Sequence, residues 1–330
     1  MNNFKKIGLT ALAASLVSVS ANAGAISVSG GASMNASGYS GEGQNRGATF
    51  TMGNQLTFSG GGELDNGLNV SVSFVIDQGD DSSDAASTAP FDSHSVTVSS
   101  DTLGSLKLMG EGGASTASAI SGTAAGNLWD TFDQHTVAAG GTSIPDLSQT
   151  ASPGDDSFMY TSPELMDGLT ATLSWEPQNT GIDSGTGWGV SYTGVEGLSV
   201  AYAVADVVGA TTLTSGDNTQ MDISYAYGPV TVSYSNGDHD EKTANGSGDV
   251  EMESFAISYT VTDELSITYG EETSDIGNLT VDAEISAISF AYTAGGMTLS
   301  GKMTEGENLD YTTDTAADLD AWTLGASFAF

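Results

Sequence analysis

The sequence predicts an all-β protein, a transmembrane antiparallel up-and-down β-barrel of about 16 strands, and three observations carry that expectation. Apolar and polar residues alternate with period two along most of the chain, and beyond residue 23 no helical periodicity of comparable strength interrupts them. The connections between alternating segments are by turns tight and long. Finally, the chain stops inside such a segment, at Phe330, where a terminus is ordinarily polar and frayed unless something ties it down.

The first element is an export signal. Lys5 and Lys6 supply a positive start, Ile7 to Val19 a short apolar stretch, and Ala21-Asn22-Ala23 a small-residue cleavage site, so residues 1–23 are expected to be removed and the mature chain to begin at Gly24. No apolar run approaches the roughly 20 residues of a membrane-spanning helix. With no cysteine, the fold cannot rest on disulfides. The mature chain keeps four basic residues against 42 acidic ones, a net charge near −38, which argues against nucleic-acid partners. High charge with only 38% hydrophobic residues is compatible with disorder. The regular alternation argues against it.

Strands follow in order at 25–39, 48–62, 68–78, 93–100, 105–113, 157–163, 169–178, 188–194, 198–208, 219–228, 230–239, 249–261, 265–274, 282–293, 297–305 and 318–330. In the third, Leu68, Val70, Val72, Phe74 and Ile76 alternate with Asn69, Ser71, Ser73 and Asp77; Leu169, Ala171, Leu173 and Trp175 do the same in the seventh. Tight connections carry turn chemistry, as in Asp65-Asn66-Gly67, Met166-Asp167-Gly168, Val195-Glu196-Gly197 and Ala294-Gly295-Gly296. The other connections are longer, acidic and rich in Gly and Ser. A soluble sandwich has no need of that asymmetry, whereas a membrane meander has short turns on one side and long loops on the other. Ser, Thr, Gly and Asn would then face inward. A barrel of about 16 strands encloses water rather than a packed core. Trp175, Tyr192, Tyr202, Tyr225, Tyr227, Tyr259, Tyr269 and Tyr292 fall near strand ends, where interfacial girdles lie.

Closure of such a barrel pairs the last strand with the first and accounts for the chain end. Gly325, Phe328 and Phe330, with the polar residue before them, resemble the C-terminal insertion signal of outer-membrane barrels. Together with the export signal and the meander, they make residues 24–330 resemble a Gram-negative general porin, of alphaproteobacterial type. That resemblance implies an outer-membrane homotrimer, inserted by the barrel-assembly machinery, with both barrel termini periplasmic, passively admitting small hydrophilic solutes. It also implies that the long segment 114–156, which follows the fifth strand and has no strand pattern, folds into the lumen as a constriction loop carrying Asp130, Asp133 and Asp146 beside Trp129, Phe132 and His135. By strand parity Lys107 and Glu111 face the lumen, as does Lys302. The family commonly sets a row of basic residues opposite the acidic loop. Here Arg46, Lys107, Lys242 and Lys302 are all there are, and no such ladder can be assembled. A cation preference is the expected consequence.

Other chemistry is less well supported. His94, His135 and His239 read as scattered through loops, with no legible nucleophile arrangement, so no enzyme is expected. Asp238-His239-Asp240-Glu241, near Asp249, Glu251 and Glu253, offers hard oxygens to Ca²⁺ but lacks EF-hand spacing, so a solvated acidic loop is expected there, with no cofactor. A substrate-specific channel would require a longer aromatic track or a charged ladder. A β-solenoid surface protein would show a fixed repeat, and none is seen.

Overall fold

The computed structural model describes residues 26–41, 44–77, 91–110, 112–120, 122–132, 156–177, 184–207, 215–241, 249–277, 279–313 and 317–330. Among these, sixteen strands form one closed antiparallel barrel in which each pairs with its sequence neighbours and the last with the first. They are β1 (Ser27–Gly41), β2 (Gln44–Glu63), β3 (Asn69–Asp77), β4 (Ser93–Ser100), β5 (Gly104–Met109), β6 (Ser157–Thr161), β7 (Leu169–Glu176), β8 (Gly185–Tyr192), β9 (Leu198–Val207), β10 (Gly216–Tyr227), β11 (Val230–Glu241), β12 (Val250–Thr260), β13 (Leu265–Ile276), β14 (Ala283–Ala294), β15 (Met297–Glu307) and β16 (Leu319–Ala329). Closure excludes the solenoid. β8 starts before the expected boundary because Gly185-Thr186-Gly187 pairs with Glu176-Trp175-Ser174 without presenting apolar alternation. β5 ends sooner, at Met109, where the chain leaves for the long loop. His94 and His239 stand in β4 and β11, not in loops. The export signal and His135 lie outside the described residues.

The pleat sorts side chains as a lipid-facing barrel requires. Phe50, Leu324, Ile288 and Met303 lie on the outer face, each more than half exposed. The inner wall of β2–β4 includes Thr57, Ser59, Ser71, Ser73, Ser95 and Thr97. The turn at Gly67 has φ of 81°, a conformation costly for any side chain with a Cβ.

The seam explains the chain end. β16 pairs with β1 from Gly31↔Ala329 to Gly41↔Leu319, and Gly30 and Phe330 then exchange backbone hydrogen bonds of 2.8 and 3.0 Å. A Cβ on Gly30 would meet the Phe330 ring at 2.9 Å, and one on Gly38 would meet the Trp322 indole nitrogen at 2.6 Å. Both glycines therefore clear space for aromatic rings lying across the seam.

Polarity inverts along several strands. In β12, Phe255, Ile257 and Tyr259 face outward near the tight-turn end; towards the long-loop end the outward positions become Glu251 and Glu253, and the buried inward ones are Val250 and Met252. β13 and β14 repeat the change, with outward Glu271, Asp275 and Glu284 set against buried Ile276 and Ile285. The apolar surface thus moves from outside to inside where these strands leave the apolar band. It forms a small internal core, and the inner face is not uniformly polar as expected. The outward carboxylates form a belt with like charges directly opposite, including Asp206↔Asp217, Asp238↔Glu251 and Glu305↔Asp320.

Candidate functional site

The lumen is organised by the segment after β5. Its described parts, 112–120 and 122–132, include 3₁₀ turns at Ser118–Ile120 and Leu128–Thr131. Backbone amides of the segment meet inward side chains of the wall in chain order. Ala114 N–H donates to Ser157 Oγ of β6 at 3.3 Å and Thr116 N–H to Ser174 Oγ of β7 at 3.0 Å. The Thr116 hydroxyl donates to the Val204 carbonyl of β9 at 2.9 Å. Ala124 and Ala125 N–H donate to Ser235 Oγ of β11 and Ser254 Oγ of β12, at 2.8 and 2.9 Å. A loop inside a barrel cannot leave its amides unpaired without cost, and these serines supply acceptors at small volume.

Beyond Ala125 the attachment becomes apolar, with hydrogen bonds to charged side chains of the wall. Leu128, Trp129 and Phe132 are buried among Val250, Met252, Ile276, Ile285, Leu309, Tyr311 and Leu319. Next to this core stands Glu272 of β13, only 3% exposed. Its carboxylate accepts the Thr123 hydroxyl and, at 3.2 Å, Trp129 N–H. Lys302 of β15 donates to Thr131 Oγ1 at 2.8 Å, within the fields of Asp130 and Glu272. Tyr311, in the loop between β15 and β16, bonds Ser274 Oγ at 3.0 Å; burial pushes its phenol up to about 12. Among the described residues, Trp129 Nε1 and Thr304 Oγ1 are buried without a hydrogen-bond partner, a local cost that the surrounding packing must offset.

The structure therefore brings Asp130 and Lys302 together, with Asp130 exposed and Lys302 half-buried against the loop. Lys107 is apart from them, exposed on β5 between Thr97 and Met159. Asp133, Asp146 and Glu111 lie outside the described residues. Gly325 faces inward beside Asn35 and Ser300, while Phe328 and Phe330 are on the outer face. Trp129 and Phe132 are buried anchors that offer no stacking surface to a solute. The acidic run 238–241 is the end of β11, and its pleat sends Asp238 and Asp240 outward and His239 and Glu241 inward, with His239 bonded to Asn218. Sequence reasoning missed Glu272 and Asp222. Parity held the signal for both: in a strand whose outward set is Ile267, Tyr269 and Glu271, the second residue of the Glu271-Glu272 pair must point in.

Comparison with known proteins agrees with this geometry. A family model described as Gram-negative porin matches residues 8–330. No curated protein matches. Among solved structures, the chain is similar to an anion-selective porin from Comamonas acidovorans (TM-score 0.65, 15% identity, 93% of this chain and 99% of that one). It is also similar to a substituted Rh. blastica porin (TM-score 0.62, 14% identity, 93% and 100%). A loop-deleted outer-membrane protein of Vibrio cholerae gives TM-score 0.65 at 14% identity, over 93% and 99%. At such identities the likeness establishes the barrel, and the family match extends it to the chain's class. A closed sixteen-stranded barrel with an apolar exterior, a hydroxyl-lined interior and an inward-attached loop is in keeping with that match, and the chain belongs to the Gram-negative porins.

Proposed function

We propose that this porin is a water-filled channel for passive diffusion of small hydrophilic solutes and ions, with a preference for cations. One observation carries the selectivity: the balance of charge on the inner wall. Strand parity puts Glu63, Asp77, Glu176, Asp222, Glu241 and Glu272 inward, against Lys107 and Lys302 among the residues whose side chains are described, and Lys302 is engaged by the loop. Fixed carboxylates in an aqueous passage with low-dielectric walls concentrate cations and deter anions. The Comamonas porin is anion-selective, so the shared barrel leaves selectivity to such side chains. In this reading segment 114–156 narrows the passage, with Asp130, Asp133 and Asp146 contributing to its field, and the channel works without a cofactor.

The reading extends to assembly. Residues 1–23 direct export, the barrel-assembly machinery recognises Gly325, Phe328 and Phe330, and both barrel termini are periplasmic. The trimer forms through the outer face of β1–β5. Supporting this, described outward side chains there include no Tyr, Trp or carboxylate, in contrast to β6–β16. An apolar groove of about 320 Å³ lined by Ile26, Phe58, Val72, Phe74, Ile76 and Phe91 lies on that face. The deciding experiment is the reversal potential of single channels under a KCl gradient in a planar bilayer. A potential of the sign for K⁺ is expected; one of the sign for Cl⁻ overturns the selectivity, and absence of conductance from folded protein overturns the channel.

A further inference from the structure

A cavity of about 320 Å³ lies on the inner wall where residues 122–124 pass over β9–β11. It is separate from the Asp130–Lys302 region. Its floor is the inward face of three adjacent strands, with the hydroxyls of Ser199, Ser224, Ser233 and Ser235 around the carboxylate of Asp222. The roof is fixed, since Ala124 N–H is held on Ser235 Oγ at 2.8 Å. Asp222 Oδ1 accepts Gln220 Nε2 at 3.2 Å, and no donor among the described residues meets Oδ2. Neither inward lysine is near in the barrel order: Lys107 is on β5 and Lys302 on β15.

These features specify a ligand class. A carboxylate that keeps one oxygen unengaged accepts a charge-assisted hydrogen bond from an ammonium group. Hydroxyls that both donate and accept suit the hydroxyls of a polyol, and a neutral sugar alcohol meets the same hydroxyls without the charge. An anion meets only repulsion at Asp222. We infer that this pouch is a binding station on the diffusion path for small hydroxylated ammonium ions of the amino-polyol or amino-sugar class. The inference rests on the lumen being the aqueous path proposed above.

The test uses N-methyl-D-glucamine and its neutral counterpart sorbitol, added separately to single channels of the full protein carrying KCl current, in the native chain and in Asp222→Asn and Ser224→Leu. N-methyl-D-glucamine is expected to reduce the native current at lower concentration than sorbitol. Its half-effect concentration should rise at least about fivefold in Asp222→Asn, the loss of a charge-assisted bond, and similarly in Ser224→Leu, which fills the pouch. Sorbitol should act equally on the native chain and Asp222→Asn. The inference is overturned if N-methyl-D-glucamine acts equally on the native chain and Asp222→Asn. Reversal potentials in KCl alone keep the two readings apart: relief of block in a pore that is not cation-preferring retains the pouch and removes the selectivity, and the reverse result removes the pouch alone. Should the channels not conduct, titration calorimetry of N-methyl-D-glucamine on the folded proteins in detergent reads the same contrast, with equal affinities overturning the inference.

Discussion

Replacing Trp129 by alanine should release the inward loop while leaving the barrel closed. Trp129 is 2% exposed, and its neighbours in the internal core, Leu128 and Phe132, are 3% and 4% exposed. Truncating a buried Trp costs about 3–5 kcal/mol. Here the cost falls on loop docking, because the sixteen-strand ladder does not run through Trp129. With tenfold in population for every ~1.4 kcal/mol, the undocked fraction should rise by roughly two to nearly four orders of magnitude. The hydroxyl contacts at Ser157, Ser174, Ser235 and Ser254 remain, so the N-terminal part of the loop should stay attached and detachment should begin near residue 125. Single-channel recording should show larger conductance with frequent transitions between levels, and limited proteolysis of detergent-solubilised protein should cut beyond residue 125. Heat-dependent migration in SDS gels should be almost unchanged. A variant with native conductance, native noise and native protease resistance would falsify the assignment of Trp129 as the anchor.

Other expectations follow from the same geometry. Lys107→Glu changes the lumen charge by two units; at about 10 Å in water this is worth about 0.8 kcal/mol, or roughly fourfold in cation occupancy before screening, and the KCl reversal potential should move further towards that of K⁺. An unmoved potential would mean that Lys107 does not sense the permeating ions. Gly38→Val puts a side chain where the Trp322 indole lies, and overpacking of about 1–3 kcal/mol at the seam should lower the temperature at which the barrel unfolds in SDS. Unfolding at the native temperature would show that the indole moves aside freely. Tyr311 has a folded-state pKa raised above that of the free phenol, so its contribution is complete below about pH 10 and is lost as pH rises towards about 12. Conductance noise should therefore grow over that alkaline range in the native chain and stay flat in Tyr311→Phe; equal behaviour of the two would exclude Tyr311 as the titrating group.

The barrel was legible because its signals are local and repeated. Alternation in β3 and β7, turn residues at Gly67 and Gly168, and the unpaired-looking end at Phe330 each require one strand at most to be read. The attachment of the loop is a relation between distant positions, Thr116 with Ser174 or Thr123 with Glu272, and serine on a polar inner face looks the same whether or not a loop amide rests on it. The internal core escaped for a different reason. One inside–outside assignment holds along the whole of β3 and β7, whereas Val250-Glu251-Met252-Glu253 inverts it within β12. Read as a change of phase, that tetrapeptide marks both where the apolar band ends and where Trp129 would find cover.

The row of attachments from Ser157 on β6 to Lys302 on β15 also has a mechanical side. Neighbouring strands stand about 4.8 Å apart, so the loop is a cord laid around much of the inner circumference and pinned at intervals of one or two strands. Flattening the cross-section would change the spacing between pins and strain the cord, so the loop acts as an internal hoop that resists ovalisation. The dependence also runs the other way. The shear that fixes the barrel's girth fixes where the pins lie, and a strand that slipped register would change the span of the loop as well as the girth. Girth and loop path are therefore set together by one pattern of strand pairing.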